Sequence, residues 1–202
     1  MNDRKNSEKR GTYHHGDLRS QLIEATRVLI EEKGPDHFSV SEACRRAGVS
    51  SAAPYKHFKD KGEMLHAVAL AGMHRQREQM LAELALYAIG TLVRIVAMGR
   101  VYVRFAMNEP GVFRLMFSLI DGHAENKELV ATGDNTFLVV KQEVANCRSS
   151  DEVSAEDAHR AFLLWSFVHG LSFLNIDEKL VGKNIAFDLE HVLKDVAERV
   201  LR

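Results

Sequence analysis

The sequence predicts an all-α protein of about nine helices. Long segments repeat apolar residues at the spacing of one helix face. The 202-residue chain contains only three prolines, and proline interrupts helices. Helix-start signals pair Ser39 with Glu42, Asp60 with Glu63, and Ser154 with Asp157. Because 46% of the residues are hydrophobic, we expect one or two domains with a full core.

The net charge of −1 conceals an asymmetry along the chain. Residues 1–66 contain 12 Lys+Arg and 10 Asp+Glu, a net charge of +2, whereas residues 67–202 contain 15 and 18, a net charge of −3. This distribution fits a chain that contacts nucleic acid at one end.

Cysteine usage and hydropathy exclude several classes of protein. Cys44 and Cys147 lie far apart and fit no metal or redox motif, so we expect free thiols in a reducing compartment. The longest uncharged run, Ala161 to Ile176, has 16 residues, fewer than the ~18 that a membrane span requires. No signal-peptide pattern occurs. We therefore expect a cytoplasmic protein without a membrane partner.

Residues 39–58 predict two short helices joined by a tight turn. The Ser39–Glu42 capping box starts the first helix, and Gly48 ends it because glycine readily adopts the left-handed conformation. This is the helix-turn-helix pattern, in which the second helix enters the DNA major groove. A plain helical hairpin is the alternative, because many such hairpins have a glycine turn.

The second helix of this pattern is expected to reach about Phe58. Ser50 or Ser51 is in a position to cap it. Pro54 falls in its first turn, where the missing N–H is tolerated.

The flanking segments predict the remaining organisation. Residues 1–12 are expected to form a disordered arm, whose basic residues either contact phosphates or are solvated: Arg4, Lys5, Lys9 and Arg10. Residues 13–66 form the expected helix-turn-helix domain and residues 67–202 a second helical domain. Beyond the first helix, which ends at Lys33, longer helices are expected over 60–84, 89–108, 112–119, 127–147, 154–176 and 185–201, with loops at 121–126 and 148–152.

Two stretches of the chain resemble TetR-family transcriptional regulators. The segment YHHGDLRSQLIEATRVLIEEKG followed by SVSEACRRAGVSSAAPYKHFKDKGEML closely resembles their N-terminal domain, and Tyr55-x-His57-Phe58-x-x-Lys61 is its most specific part. VYVRFAMNEPGVFRLMF and Trp165-x-x-x-His169-Gly170 resemble the subgroup whose C-terminal domain is named for a Trp-His-Gly motif. The resemblance implies an all-α homodimer that binds a palindromic operator, usually as a repressor released by a small ligand.

The same resemblance implies a set of DNA-contacting residues. They are Ser39, Ser41, Ser51, Ala52, Ala53, Tyr55, Lys56, His57 and Lys61. Helix N-termini attract phosphates, lysines add salt-dependent attraction, and alanines allow close approach to base edges. Tyr55 either packs in the domain or contacts phosphate, and His57 either stabilises the turn or touches DNA. Phe58 is expected in the core.

The C-terminal domain is expected to hold an effector pocket and a dimer interface. The pocket candidates are Arg104, Met107, Phe113, Met116, Phe117, Trp165, His169 and Phe173. For each of them taken singly an ordinary core position is the favoured alternative, and for His169 a hydrogen-bonded core histidine. The interface candidates are Leu164, Val168, Leu171, Leu189, Val192 and Val196.

These expectations define a function and its competitors. We expect a ligand-responsive DNA-binding regulator, in which helix 60–84 moves between two states. The alternatives are a helical binding protein without DNA regulation and, as a third class, an enzyme. No catalytic motif, P-loop or GxGxxG sequence occurs, and no cofactor is expected. His14-His15 lacks the further ligands that a metal site requires.

Overall fold

Eight α-helices and one short 3₁₀-helix form the part of the chain that the structure describes. The structure is a computed structural model and describes residues 15–117, 126–181 and 188–202. The helices are α1 (His15–Lys33), α2 (Val40–Arg46), α3 (Lys61–Leu84), α4 (Leu92–Asn108), α5 (Pro110–Met116), α6 (Lys127–Cys147), α7 (Ala155–Ile176) and α8 (Leu189–Leu201). The 3₁₀-helix, Pro54–Lys56, lies between α2 and α3.

Several expectations lie outside the described residues. They concern the arm at 1–12, His14 of the His14-His15 pair, and residues 121–125 of the loop at 121–126. The expected beginning of the last helix at Ile185 also lies outside them. The all-α fold class itself is confirmed in the described ranges.

Local capping signals start three helices as the sequence predicts. Ser39 and Glu42 form a reciprocal capping box on α2, and Ser154 and Asp157 form another on α7. Asp60 accepts a hydrogen bond from the Glu63 N–H at 2.8 Å and starts α3. These helices therefore begin within a residue of their predicted positions.

Two helix starts differ from the prediction. Helix α4 begins at Leu92 and not at Ile89, because Gly90, with a φ of +79°, turns the chain first. Helix α5 begins at Pro110 and not at Val112, since proline at the first position of a helix loses no hydrogen bond.

The second helix of the helix-turn-helix requires a correction. The sequence predicts a capped helix from Ser50 or Ser51 to Phe58, whereas the structure contains only the 3₁₀-helix Pro54–Lys56, without a side-chain cap. The physical reason is Pro54, which has no N–H to bond the Ser50 carbonyl four residues earlier. That carbonyl instead accepts from Ala53 N at 3.0 Å, so the segment is a series of tight turns.

Helices α1 and α2, the 3₁₀-helix and the first turns of α3 pack into one unit, which we call the head. Its core contains Leu22 from α1, Ala43 from α2, Phe58 and Val68, all buried. Phe58 is 2% exposed, so its expected core position is confirmed. The rest of the chain, from the middle of α3 to α8, is called the body, and α4 lies at its centre, in contact with α3, α5, α6, α7 and α8.

A buried ion pair connects three helices of the body. Arg94 on α4 forms two hydrogen bonds of 2.7 Å with the carboxylate of Glu143 on α6. Its Nη1 also donates to the Leu84 carbonyl at 2.7 Å and the Tyr87 carbonyl at 2.9 Å, beyond the end of α3. One side chain therefore bonds the last carbonyl of α3 and a carbonyl of the following loop, and it ties both to α4 and α6.

Helix α5 joins the body to the head. The Glu31 carboxylate on α1 accepts hydrogen bonds from Gly111 N at 2.9 Å and Val112 N at 2.8 Å. These N–H groups belong to the first turn of α5, where a carboxylate is favoured by the helix dipole. At the same junction Glu109 pairs with Arg75 of α3.

Helix α5 also lies in close contact with α3. A Cβ placed on Gly72 of α3 would lie only 2.5 Å from Val112 Cγ1 and 3.2 Å from Met116 Sδ. Only glycine allows the two helices to approach this closely, so a shift of either helix is transmitted to the other.

Candidate functional site

The exposed surface of the head is formed by the segment between α2 and α3. Pro54 and Phe58 are buried and anchor this segment to the core of the head. Tyr55, which is 64% exposed, and Lys56 therefore project into solvent.

Most of the predicted DNA residues of this segment share that surface. Ser51 and Ala52 are exposed, while Ala53 and His57 are half-buried. The structure thus brings six candidates together within the segment from Ser51 to His57, with one fixed positive charge, on Lys56.

The N-terminus of α2 holds Ser39 and Ser41, and both side chains are exposed. The Ser39 hydroxyl already accepts from Glu42 N at 3.2 Å. Lys33, whose Nζ lies 2.6 Å from Glu42 Oε1, lowers the pKa of Glu42, with a further contribution from the Ser39 N–H. This helix end therefore carries its own ionised carboxylate, and Ser41 is the serine whose hydroxyl is not engaged in the capping box.

Lys61 begins α3 and is partly engaged within the head. Its Nζ lies 4.6 Å from the centre of the Phe38 ring and 3.5 Å from the Asp36 carbonyl oxygen. Its aliphatic stem and charge therefore also stabilise the head, which distinguishes it from the fully exposed Lys56.

Sequence reasoning missed one exposed cation of the head, Arg45. Its side chain is 79% exposed and lies 3.8 Å from Glu42, whereas its neighbour Arg46 forms a double hydrogen bond with Glu32 at 2.7 and 2.8 Å. The signal was present in the helical spacing, because the apolar face of α2 includes Ala43 and Ala47 and leaves Arg45 on the opposite side.

The body encloses a cavity of about 500 Å³ between α3, α4, α5, α6, α7 and α8. Its wall is mostly aliphatic, aromatic and methionine side chains, including Met73, Met80, Met98, Met116, Phe117, Phe137, Val140, Leu164, Trp165 and Val168. Gln76, Tyr102, Asp134 and Thr136 are its main polar residues. Size and lining are those of a pocket for a small apolar molecule.

A hydrogen-bonded aromatic group forms one side of this cavity. The Tyr102 hydroxyl accepts from Trp165 Nε1 at 3.2 Å and lies 2.8 Å from His169 Nδ1. Burial raises the pKa of Tyr102 and lowers the pKa of His169, so both remain neutral near pH 7. The tautomer of the neutral imidazole decides which of the two groups donates in the hydrogen bond between the Tyr102 hydroxyl and His169 Nδ1.

The predicted pocket residues separate into three groups. Met116, Phe117 and Trp165 line the cavity. Phe113, His169 and Phe173 pack beside it as an aromatic cluster, with ring centres 5.0 to 5.9 Å apart. Arg104 and Met107 are exposed on α4, and Met107 is 54% exposed. At about 100° per residue, Met107 lies on the side of α4 opposite the cavity residue Met98, so these two positions depart from the expectation.

The predicted interface residues also depart from the expected placement. Leu164, Val168 and Val196 line the cavity, and Leu171 is buried within the protomer. Leu189 and Val192 on α8 are half-buried. The side of α7 that faces solvent, which we call the α7 outer stripe, instead consists of Phe162, Leu163, Ser166, Gly170 and Leu174. The correction has a simple cause, since α7 is apolar on nearly all sides and its sequence does not indicate which side faces outward.

Two sequence families match the chain. The family described as bacterial regulatory proteins of the tetR family matches residues 22–68. The family described as the tetracyclin repressor-like C-terminal domain matches residues 95–200, and this second match alone covers more than half of the chain. The chain belongs to the TetR family. It is therefore a DNA-binding transcriptional regulator, and members of this family are generally not enzymes.

Solved structures share the fold of this TetR-family chain. A protein of unknown function from Rhodococcus sp. RHA1 has a TM-score of 0.77 and 24% identity, over 95% of this chain and 97% of that one. The fatty acid degradation regulator FadR from Bacillus halodurans has a TM-score of 0.67 and 14% identity, over 96% and 97%. A TetR/AcrR-family regulator from Thermobifida fusca YX-ER1 has a TM-score of 0.64 and 17% identity, over 92% and 97%. No curated protein sequence matches the regulator.

Two further features of the regulator concern metal ions and membranes. Within the described ranges, no three His, Cys, Asp or Glu side chains are grouped in a way that could hold a metal ion. None of the helices described is both long and apolar enough to cross a membrane.

Proposed function

We propose that this TetR-family regulator is a cytoplasmic repressor that binds a palindromic operator as a homodimer and is released by a small, largely apolar effector. The observation that carries the proposal is the position of α5. Its Met116 lines the cavity, and its first turn is held by Glu31 of the head. A molecule that enters the cavity therefore acts on a helix that is bonded to the head.

The route from cavity to head has a second branch through α3. Helix α3 begins in the head at Lys61, and Gly72 keeps it in contact with α5. Two heads of a dimer must place their binding segments about 34–36 Å apart to enter successive major grooves. An effector that favours another arrangement of α3 and α5 would change this spacing, and a coupling of roughly 1–3 kcal/mol is sufficient.

The DNA contacts in this proposal combine the sequence candidates with Arg45. The exposed segment from Ser51 to His57 approaches the bases, with Ala52 and Ala53 at closest approach and Tyr55 and Lys56 beside them. Ser39, Ser41, Lys61 and Arg45 contact the phosphates of the same half-site. The α7 outer stripe, together with the exposed side of α8, forms the dimer interface.

Lys56→Ala tests the assignment of the DNA surface. Lys56 is exposed and has no structural role in the core of the head, so its loss is expected to weaken binding without unfolding the protein. The slope of log affinity against log salt should fall by about two for a dimer, since each neutralised phosphate contributes about 0.9. Binding to the DNA upstream of the protein's own gene, measured by fluorescence anisotropy at graded salt, gives both quantities.

Lys127→Ala is the matched control for this experiment. Lys127 is an exposed lysine at the start of α6, in the body, and its removal should leave the salt slope unchanged. If the salt slope of Lys56→Ala equalled that of the wild type, Lys56 would not contact a DNA phosphate. Binding that shows no dependence on salt in the wild type would favour a helical binding protein that does not regulate DNA.

Glu31→Gln tests the junction between head and body. An amide oxygen accepts hydrogen bonds more weakly than a carboxylate, and the charge that complements the α5 dipole is lost. We expect faster hydrogen exchange at the Gly111 and Val112 amides, and a free energy of unfolding lower by roughly 1–3 kcal/mol. Hydrogen exchange followed by mass spectrometry or NMR measures the first effect.

Glu78→Gln provides the comparison for Glu31→Gln. Glu78 is an exposed carboxylate on α3, and its neutralisation should leave exchange in α5 as it is in the wild type. Equal exchange rates at Gly111 and Val112 in the wild type and Glu31→Gln would show that α5 does not depend on this carboxylate.

A further inference from the structure

We propose that the cavity selects neutral, largely apolar ligands that carry one hydrogen-bond acceptor, such as an amide or ketone carbonyl, and that Gln76 binds this acceptor. The inference rests on the proposed function, because it names the chemical class of the effector for the same cavity. It assigns to Gln76 a role in specificity that the sequence did not indicate.

Gln76 is an unusual residue in this wall. It lies on α3, lines the cavity, and is only 7% exposed. Its side-chain Nε2 is buried and has no hydrogen-bond partner within the described part of the chain. Buried amides are nearly always paired, so an unpaired one beside a cavity indicates a partner that arrives with a ligand. A turn of the terminal amide toward the cavity brings its N–H groups to that partner.

Three other polar side chains of the wall, those of Tyr102, Trp165 and Thr136, already have hydrogen-bond partners. Trp165 Nε1 donates to the Tyr102 hydroxyl, which in turn bonds His169. The Thr136 hydroxyl donates to the Thr132 carbonyl oxygen at 2.8 Å. Among the lining residues described, Gln76 is therefore the one that retains an unmet buried donor.

The charges around the cavity disfavour an ionic ligand. The described lining residues include no lysine or arginine, and their single charged member is Asp134, exposed on α6. A carboxylate or phosphate ligand would thus lose its hydration without gaining a cationic partner in the cavity wall. It would also be repelled by the negative charge of Asp134. An ammonium ligand could pair only with Asp134, which is exposed to water on α6, and it cannot accept a hydrogen bond from the buried Gln76 Nε2.

Size and adaptability complete the description of the ligand class. A cavity of about 500 Å³ lies inside the usual range for small-molecule pockets. Four methionines in its wall, Met73, Met80, Met98 and Met116, can adjust to ligands of different shape. The cavity therefore selects a ligand more strictly by its single hydrogen-bond acceptor and its otherwise apolar surface than by its shape.

The test compares three probes of equal chain length on the full-length dimer. Octanamide, octanoate and octylammonium are titrated by isothermal calorimetry into the wild type and into Gln76→Met, which keeps the side-chain length but removes the amide. We expect octanamide to bind the wild type about tenfold more tightly than either ion, and Gln76→Met to remove this preference by weakening octanamide about tenfold. Gln76→Leu should give the same loss.

Two controls separate specificity from damage to the fold. Gln142→Met changes a glutamine of α6 that bonds Asn146 Oδ1 at 3.1 Å and does not line the cavity, so its probe preference should equal that of the wild type. The melting temperature of Gln76→Met should not fall, since the substitution removes an unpaired buried amide.

The outcomes distinguish this inference from the proposed function. Tighter binding of either ion, no binding of octanamide, or an equal preference in Gln76→Met would overturn the assigned ligand class. Operator binding is measured separately, so salt-dependent DNA binding would still support the regulator in each of these cases. Conversely, octanamide binding through Gln76 without any release of DNA would support the ligand class and contradict the proposed coupling.

Discussion

Arg94→Ala is expected to lower the free energy of unfolding by about 3–5 kcal/mol, the usual effect of removing one partner from a buried ion pair. Arg94 is 9% exposed and Glu143 is 6% exposed. Without Arg94 the Glu143 carboxylate remains buried without its cation, and the carbonyls of Leu84 and Tyr87 lose the hydrogen bonds that Arg94 Nη1 donates. The hydrogen bonds from Arg94 to the Glu143 carboxylate raise the pKa of Arg94, which keeps the guanidinium charged.

Equilibrium urea unfolding at one fixed protein concentration measures this effect, because dimer dissociation also contributes to apparent stability. Arg199→Ala is the control, since Arg199 pairs with Asp195 on the exposed surface of α8 and should matter little. The double variant Arg94→Met/Glu143→Leu should recover most of the loss, because it leaves no buried charge. A destabilisation below about 1 kcal/mol for Arg94→Ala would mean that water reaches Glu143.

Gly170→Leu is expected to convert the proposed dimer to a monomer and to weaken operator binding by about 10²–10⁴-fold, the contribution of a second linked binding site. Gly170 lies in the α7 outer stripe, and a Cβ placed on it would meet no atom of its own protomer within 4 Å. The protomer should therefore fold normally, and a helix interior even favours leucine over glycine. A partner subunit packed against the stripe would meet the new side chain directly.

Sedimentation velocity distinguishes the two states, and the melting temperature of the monomer checks its fold. Gly133→Leu is the matched control, because Gly133 on α6 also has no atom within 4 Å of an added Cβ and lies outside the stripe. A Gly170→Leu variant that sediments as the wild-type dimer would exclude the outer stripe as the interface. Retained high-affinity operator binding by a monomer would contradict the dimeric mode of recognition.

Much of the helical framework was predictable from short stretches of sequence. The starts of α2, α3 and α7 depend on a capping residue and its partner three positions later, and both lie in the same turn. The wrong prediction at residues 50–58 has an equally local cause. Pro54 has no N–H that could bond the Ser50 carbonyl, and this is evident from the sequence. Gly72 was also visible as an irregularity within an otherwise good helical segment.

The candidate site was less predictable because it depends on which sides of the helices face each other. Phe117 and Trp165 line the cavity, as expected. Arg104 and Met107 are exposed instead, because the sequence does not indicate which side of α4 faces the cavity. On α7, two residues expected at a dimer interface, Leu164 and Val168, line the cavity, and the third, Leu171, is buried within the protomer. A helix that is apolar on all sides carries no periodic signal that would separate one buried side from another.

By itself, the sequence determined the all-α class, the starts of α2, α3 and α7, and the buried Phe58, because these features follow from interactions within a few residues. Tertiary structure alone decided the Arg94–Glu143 pair, which is 49 residues apart, and the bond from Glu31 to Gly111, which is 80 residues apart. Tertiary structure also decided which side of α7 is exposed to solvent and that the side-chain amide of Gln76 borders the cavity. Such contacts depend on how complete helices pack, and packing is a property of the whole core that no single stretch of sequence contains.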